Sequence, residues 1–228
     1  MEMAAYGITD TGRRKKINQD AIFYEIRPNR CGIFAVADGV GGLERGEVAS
    51  AMAVAGVRNW WQKQNNPVSQ AEAIDQLSRL MFENNQAILS FGQRENIRCA
   101  TTLTLLYIGQ GSYTIAHAGD SRAYLYEDRS FRQLTTDHAA VVEQRNLLTN
   151  GVGYQSKFRC DCPCGPVQRG QLFLLCSDGI YKRNDPAALE QMMAAHGNNL
   201  QQLCNVLVES AKQKGESDNI TAIAVQIS

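Results

Sequence analysis

Apolar residues fall mostly in short runs bounded by turn residues, a pattern that predicts β-strands. Strands are expected at 4–9, 21–26, 32–37, 102–107, 113–118, 123–126, 172–176 and 221–227. Gly109, Gln110, Gly111 and Ser112 predict a hairpin, and 127–130 close another. Helical spacing interrupts this pattern. Val48, Ala51, Met52 and Ala55 recur at it, and Ser69 with Glu72 forms a capping box before Ile74, Leu77, Met81 and Ile88. Asp185 reads as an N-cap with Pro186 at the first helical position, and Leu200, Leu203, Leu207 and Ala211 mark a last helix. Two long helices between early strands, then many strands on short turns, fit helix-covered antiparallel sheets better than alternating βα units. No repeat, low-complexity segment or linker divides the chain, so one domain is expected over 1–228.

Composition narrows the partners. The 23 Lys and Arg balance the 23 Asp and Glu, so nothing points to nucleic acid. The opening MEMAAYGITDTG shows no basic segment followed by an apolar one, and no run reaches the roughly 18 apolar residues of a membrane span. A cytoplasmic protein with mostly free thiols is the expectation. The seven cysteines are scattered except Cys160, Cys162 and Cys164, which alternate. On a strand they would share one face; without C-x₂-C spacing or a fourth ligand they are read as a loop, not a zinc site. Trp60 and Trp61 are expected in the core and at a helix end.

The chemistry lies in aspartates at strand ends. FAVADGVGG stops an apolar run on Asp38 and then supplies Gly39, Gly41 and Gly42. Asp120 and Asp178 likewise follow apolar runs, while Asp20 and Asp218 open them. One Asp beside Gly is ordinary turn vocabulary. Five such aspartates at one sheet edge would repel one another unless cations were present. Oxygen ligands alone suit Mg²⁺ or Mn²⁺ rather than zinc.

The ordered motifs NQD (18–20), VADGVGG (36–42), ATTL (100–103), AGDSRAYL (118–125), LTTDH (134–138), LLCSDGI (174–180) and SDNITAIAV (217–225) resemble the metal-dependent serine/threonine protein phosphatases of the 2C type, in their compact bacterial form. The resemblance covers nearly the whole chain. It implies an α+β fold, a four-layer α-β-β-α sandwich of two antiparallel sheets flanked by helices. It also implies two Mn²⁺ or Mg²⁺ ions, and a third, weaker one that Asp120 helps to hold. Asp38 would bridge the two metals, Gly39 (by its carbonyl) and Asp20 (through water) would serve one, and Asp178 and Asp218 the other. Asp38, Asp178 and Asp218 would carry catalysis, with Asn18 and Asn219 orienting the ligands. A hydroxide shared by the metals would attack phosphoserine or phosphothreonine, so no cysteine nucleophile is needed. Cys176, without a C-x₅-R loop, reads as a buried strand-end thiol.

The sequence departs from the family in three places. The usual phosphate-clamping Arg is replaced by Lys15, with Arg14 beside it as a substitute. Val40 stands where some members carry His, and His117 and His138 read as structural. The flap that is longer in many relatives is reduced to seven residues, 139–145. The resulting expectation is a monomeric phosphoprotein phosphatase that reverses a cognate Ser/Thr kinase. The alternatives are a catalytically weak phosphoprotein-binding pseudophosphatase and a hydrolase of small phosphate esters.

Overall fold

A computed structural model describes residues 1–28, 30–142 and 145–228. The chain runs β1 (Met3–Asp10), β2 (Asp20–Arg27), β3 (Cys31–Asp38), α1 (Gly46–Lys63), α2 (Gln70–Glu95), β4 (Leu103–Gly109), β5 (Ser112–Ala118), β6 (Arg122–Glu127), β7 (Ser130–Gln133), β8 (Ala139–Val142), β9 (Arg145–Leu148), β10 (Cys164–Pro166), β11 (Leu172–Cys176), α3 (Asp178–Tyr181), α4 (Pro186–His196), α5 (Leu200–Gln213) and β12 (Ile220–Ile227). One five-stranded sheet has the order β1-β12-β11-β6-β7, the other β10-β5-β4-β3-β2, and β8 pairs with β9 apart from both. Every pairing is antiparallel.

The central strands are apolar on both faces, and this builds four layers. On β3, Ile33, Ala35 and Ala37 pack with Ala53, Val57, Leu77 and Met81 of α1 and α2. The alternate residues Phe34 and Val36 turn the other way, to Phe173, Leu175, Ile223 and Val225 of the facing sheet. On β11, Leu172, Leu174 and Cys176 meet Leu189, Leu203 and Leu207 of α4 and α5. The period of two thus assigns one side of each strand to helices and the other to the sheet interface.

The eight expected strands are all present, most of them a residue or two longer. Ser69 accepts from the Glu72 N–H while Glu72 accepts from the Ser69 N–H, and Asp185 caps α4 with Pro186 following. Leu200, Leu203, Leu207 and Ala211 are the buried stripe of α5. Both predicted hairpins turn on left-handed residues, Gln110 and Gly111 (φ 48° and 75°) and Asp128 and Arg129 (φ 48° and 60°), whose twist matches the strands.

Three expectations need correction. In α1 the buried stripe is Ala49, Ala53, Val57 and Trp61, whereas Ala51 and Ala55 are exposed. The helix is apolar on two sides, and only the sheet decides which is covered. Ile74 is likewise only half-buried, and Ala73 takes the inner position on α2. The CDCPC segment is not wholly loop, because Cys164–Pro166 is an edge strand on β5. In the expected flap, 139–145, the residues Glu143 and Gln144 lie outside the described residues.

Candidate active site

The antiparallel registers bring the start of β2, the ends of β3 and β5, the end of β11 and the start of β12 to one end of the sandwich. The five aspartates sit at those strand ends. Asp20 and Asp38 are direct cross-strand partners, an arrangement that is unfavourable for two like charges. Asp38, Asp120, Asp178 and Asp218 line a cleft of about 410 Å³ together with Lys15 and Lys182.

Asp38 is fixed through its backbone by the segment before β4. Its N–H donates to Thr102 Oγ1 (3.0 Å), and its carbonyl accepts from the Thr102 N–H (2.8 Å) and Thr101 Oγ1 (2.9 Å). Burial, and then the charges of Asp20, Asp178, Asp120 and Asp218, push its carboxyl well above the ordinary 3.8. Asp20, 8% exposed, is pushed up to about 6, chiefly by burial. Ser177 Oγ donates to its Oδ2 (2.8 Å) from the other sheet, while its Oδ1 is buried without a hydrogen-bond partner. Asp120 is also pushed up to about 6, by burial and then by Asp178. Asp178 is raised by burial, against the opposing charge of Lys182.

The glycines after Asp38 have two roles. A Cβ on Gly39 would stand 2.5 Å from the carbonyl carbon and oxygen of Gly46, so Gly39 lets β3 pass against the start of α1. Gly41 and Gly42 would meet nothing within 4 Å and leave the cleft rim open.

Lys15 is in the cleft, with Nζ 3.0 Å from Asp218 Oδ1. Arg14 is exposed and does not line it. Asn219 holds the loop carrying Lys15: its Oδ1 accepts from the Gln19 N–H (2.9 Å) and its Nδ2 donates to the carbonyls of Thr11 (2.8 Å) and Ile17 (3.2 Å). Asn18 bridges the same loop to Thr9 and to the Asp20 N–H. Two cleft cations had no motif to reveal them. Arg98 comes from the loop before β4 and Lys182 from the end of α3. Only the spacing of Lys182, four residues after Asp178 on a helical turn, was a usable signal.

His117 is fully buried, bonded to Thr104 Oγ1 (2.9 Å) and the Thr136 carbonyl (3.1 Å), and pushed down to about 4 by burial and then by His138. His138 is bonded to Asp161 Oδ2 (3.0 Å) and Asn150. Neither lines the cleft, which agrees with a structural role. Cys176 is buried and its thiol raised by burial. The registers place Cys160, Cys162 and Cys164 on one face, as the alternation predicts; Cys160 and Cys162 lie 3.6 Å apart beside Ser78 and pack against the helix layer. Trp61 is core and Trp60 half-buried against it.

Among the described residues no three His, Cys, Asp or Glu side chains are gathered closely enough to hold a metal ion as they stand. The cleft nevertheless fits divalent cations. Its lining carries carboxylates and no His or Cys, Asp20 Oδ1 is a buried oxygen lacking a partner, and the carboxylates repel one another. Lys15 and Lys182 draw Asp218 and Asp178 to themselves, which spreads the set.

An α-β-β-α sandwich with a carboxylate-lined cleft free of His and Cys at one end has the architecture of a metal-dependent hydrolase class. The protein phosphatase 2C family model matches residues 10–219. The chain is 30% identical to the serine/threonine phosphatase stp of Listeria innocua, over 96% of this chain and 93% of the relative. It is also 30% identical to the protein phosphatase PhpP of Streptococcus pneumoniae, over 96% of each. Its fold is that of the S. agalactiae serine/threonine phosphatase (TM-score 0.91, 24% identity, all of both chains) and of the Mycobacterium tuberculosis phosphatase PstP (TM-score 0.87, 23% identity, 99% and 98%). The chain belongs to the protein phosphatase 2C family.

Proposed function

We propose that the Asp38 cleft is the active site of a serine/threonine protein phosphatase that hydrolyses phosphoserine and phosphothreonine on proteins. Family membership gives the activity. The assignment of roles rests on one observation: four aspartates from both sheets and the Lys15 ammonium line a single cleft, with Asp20 paired directly to Asp38.

Asp38 would be the central ligand, with Asp20 and the Gly39 carbonyl on one side and Asp178 and Asp218 on the other; Mn²⁺ or Mg²⁺ held by them would activate a water and neutralise charge on the phosphoryl oxygens. Lys15 receives the substrate phosphate as a point charge, without the bidentate fork of Arg, and Arg98 adds a second positive group at the rim. Asn18 and Asn219 keep the Lys15 loop in register with Asp20. Leu43, Arg98 and Tyr154 also line an adjoining groove of about 590 Å³, which suits the residues flanking a phosphorylated side chain. That favours a protein substrate over a small ester, and a Ser/Thr kinase acting on the same proteins is the partner the chemistry requires. All five aspartates are in place, so a binding-only role is not favoured. No helix among the described residues is long and apolar enough to cross a membrane.

The test is phosphate release from a phosphothreonine peptide with Mn²⁺, with EDTA, and by Asp38→Asn. Turnover that needs Mn²⁺ and is lost in the variant is expected. Turnover that persists in EDTA refutes the metal reading.

A further inference from the structure

Away from the cleft, two of the three alternating cysteines form a matched pair. β10 and the residues before it make the outer edge of the second sheet, on β5. Asp161 is bonded to His117 in both directions: its N–H donates to the His117 carbonyl (3.0 Å), and its carbonyl accepts from the His117 N–H (2.9 Å). The Ile115 N–H donates to the Pro163 carbonyl (2.9 Å). These bonds fix the backbone on both sides of Cys162 along β5. The alternation then turns Cys160 and Cys162 to the same face, against the helix layer. Their sulfurs stand 3.6 Å apart, and the Ser78 hydroxyl on α2 lies 3.3 Å from Cys162 Sγ. Both cysteines are half-buried, whereas Cys31, Cys99, Cys176 and Cys204 are buried. Contact with Cys160, opposed by burial and aided by Ser78, lowers the Cys162 thiol from 9.0 to about 6. The same contact and burial push the Cys160 thiol up. Cys162 is thus the sulfur that ionises first, and the thiolate is the reactive form.

We propose that Cys160 and Cys162 are a redox modification site, a dithiol that hydrogen peroxide converts to a disulfide within the chain. The Cys162 thiolate attacks one peroxide oxygen and the O–O bond breaks. This leaves a sulfenic acid on Cys162 and a hydroxide, which takes the Cys160 proton and becomes water. The Cys160 sulfur then attacks the Cys162 sulfur. The S–S bond forms, the S–O bond breaks, and the second oxygen leaves as hydroxide, which takes a proton from solvent. Two electrons pass from the sulfurs to the peroxide. The bond needs the sulfurs to close from 3.6 Å to about 2.05 Å, a movement of two neighbouring side chains on one face. Cys164, exposed and next along that face, is the competing partner for Cys162.

The test uses Cys164→Ser, because Arg159 and Arg169 then bound a tryptic peptide with Cys160 and Cys162 as its only cysteines. The folded chain is treated with hydrogen peroxide, the remaining thiols are alkylated, and the peptide is weighed. Both sulfurs should be lost to alkylation, in this variant as in the wild type, and dithiothreitol should restore both. A variant that keeps both thiols under peroxide that oxidises the wild type would assign the bond to Cys164 and overturn the inference. Full retention of thiols in the wild type would also overturn it, as would a cross-link between chains or a lasting sulfenic or sulfinic acid. No outcome depends on the Asp38 cleft, so the phosphatase reading is tested separately.

Discussion

Asp20→Asn should stabilise the metal-free protein at neutral pH, by an amount that depends on pH. Burial raises the Asp20 carboxyl from 3.8 to about 6. The folded chain therefore holds this proton more tightly than the unfolded chain. The resulting stabilisation is complete below pH 3.8 and is lost as pH rises through about 6. At 1.36 kcal/mol per pH unit the span is worth about 3 kcal/mol, of which about 2 kcal/mol falls between pH 4.5 and 7. His117 works in the opposite direction. Its folded value of about 4 lies below the ordinary 6.5, so its contribution is lost as pH falls through that range. The wild-type profile alone thus mixes two comparable terms of opposite sign. The difference between Asp20→Asn and wild type cancels the His117 term and leaves that of Asp20 together with its repulsion of Asp38. Urea unfolding in EDTA at pH 4.5, 5.5, 6.5 and 7 should show the variant gaining on the wild type by up to about 2 kcal/mol as pH rises. Saturating Mn²⁺ should shrink or reverse that advantage, because the ionised carboxylate becomes useful once cations are bound. Parallel stability profiles in EDTA would refute the claim that burial of Asp20 outweighs the hydrogen bond it accepts from Ser177.

Lys15→Ala should raise KM for a phosphothreonine peptide about tenfold, the worth of one charge-assisted contact of about 1.5 kcal/mol, while Arg14→Ala leaves it unchanged; steady-state kinetics on both variants separates the two positions. Gly39→Ala should destabilise the fold by about 2 kcal/mol or more and depress activity, because its methyl must push Gly46 away from β3; denaturant midpoints and phosphate release check this. Ser177→Ala should cost about 2 kcal/mol in urea unfolding at pH 7, since the hydroxyl both donates to Asp20 Oδ2 and accepts from the Thr221 N–H (3.1 Å).

The sandwich was largely legible because its strands are long, apolar and bounded by turns. The missed strands are short or lack that signature: β7 is the polar SFRQ at a sheet edge, and β10 is three residues ending in Gly-Pro. The wrong stripe on α1 has another cause, since Val48, Met52 and Ala55 are as apolar as Ala49, Ala53 and Val57. Period alone cannot choose between two such faces. In the site, the five aspartates carried their own signal as strand ends, four of them beside glycine or asparagine. Arg98 carried none, and Lys182 only its spacing from Asp178, because each is an ordinary basic residue until the fold turns it inward.

The carboxylates come from different layers, and this makes the site a property of sheet packing. Asp20 and Asp38 belong to the β2–β3 pair, whereas Asp178 and Asp218 flank β11 and β12 in the opposite sheet. The distance between these halves is set by Phe34 and Val36 against Phe173, Leu175 and Ile223, a close-packed interface that resists gradual adjustment. At the cleft, Ser177 Oγ joins the two sheets directly through Asp20. The cluster is thus unfavourable by its own electrostatics; the two halves are held at their spacing by the apolar interface and joined by the Ser177 hydroxyl, while Lys15 and Lys182 pair with Asp218 and Asp178. A chain that relied on the carboxylates to find their own spacing would separate them. Here the core imposes the spacing, and cations held at the proposed site would relieve the repulsion that this spacing enforces.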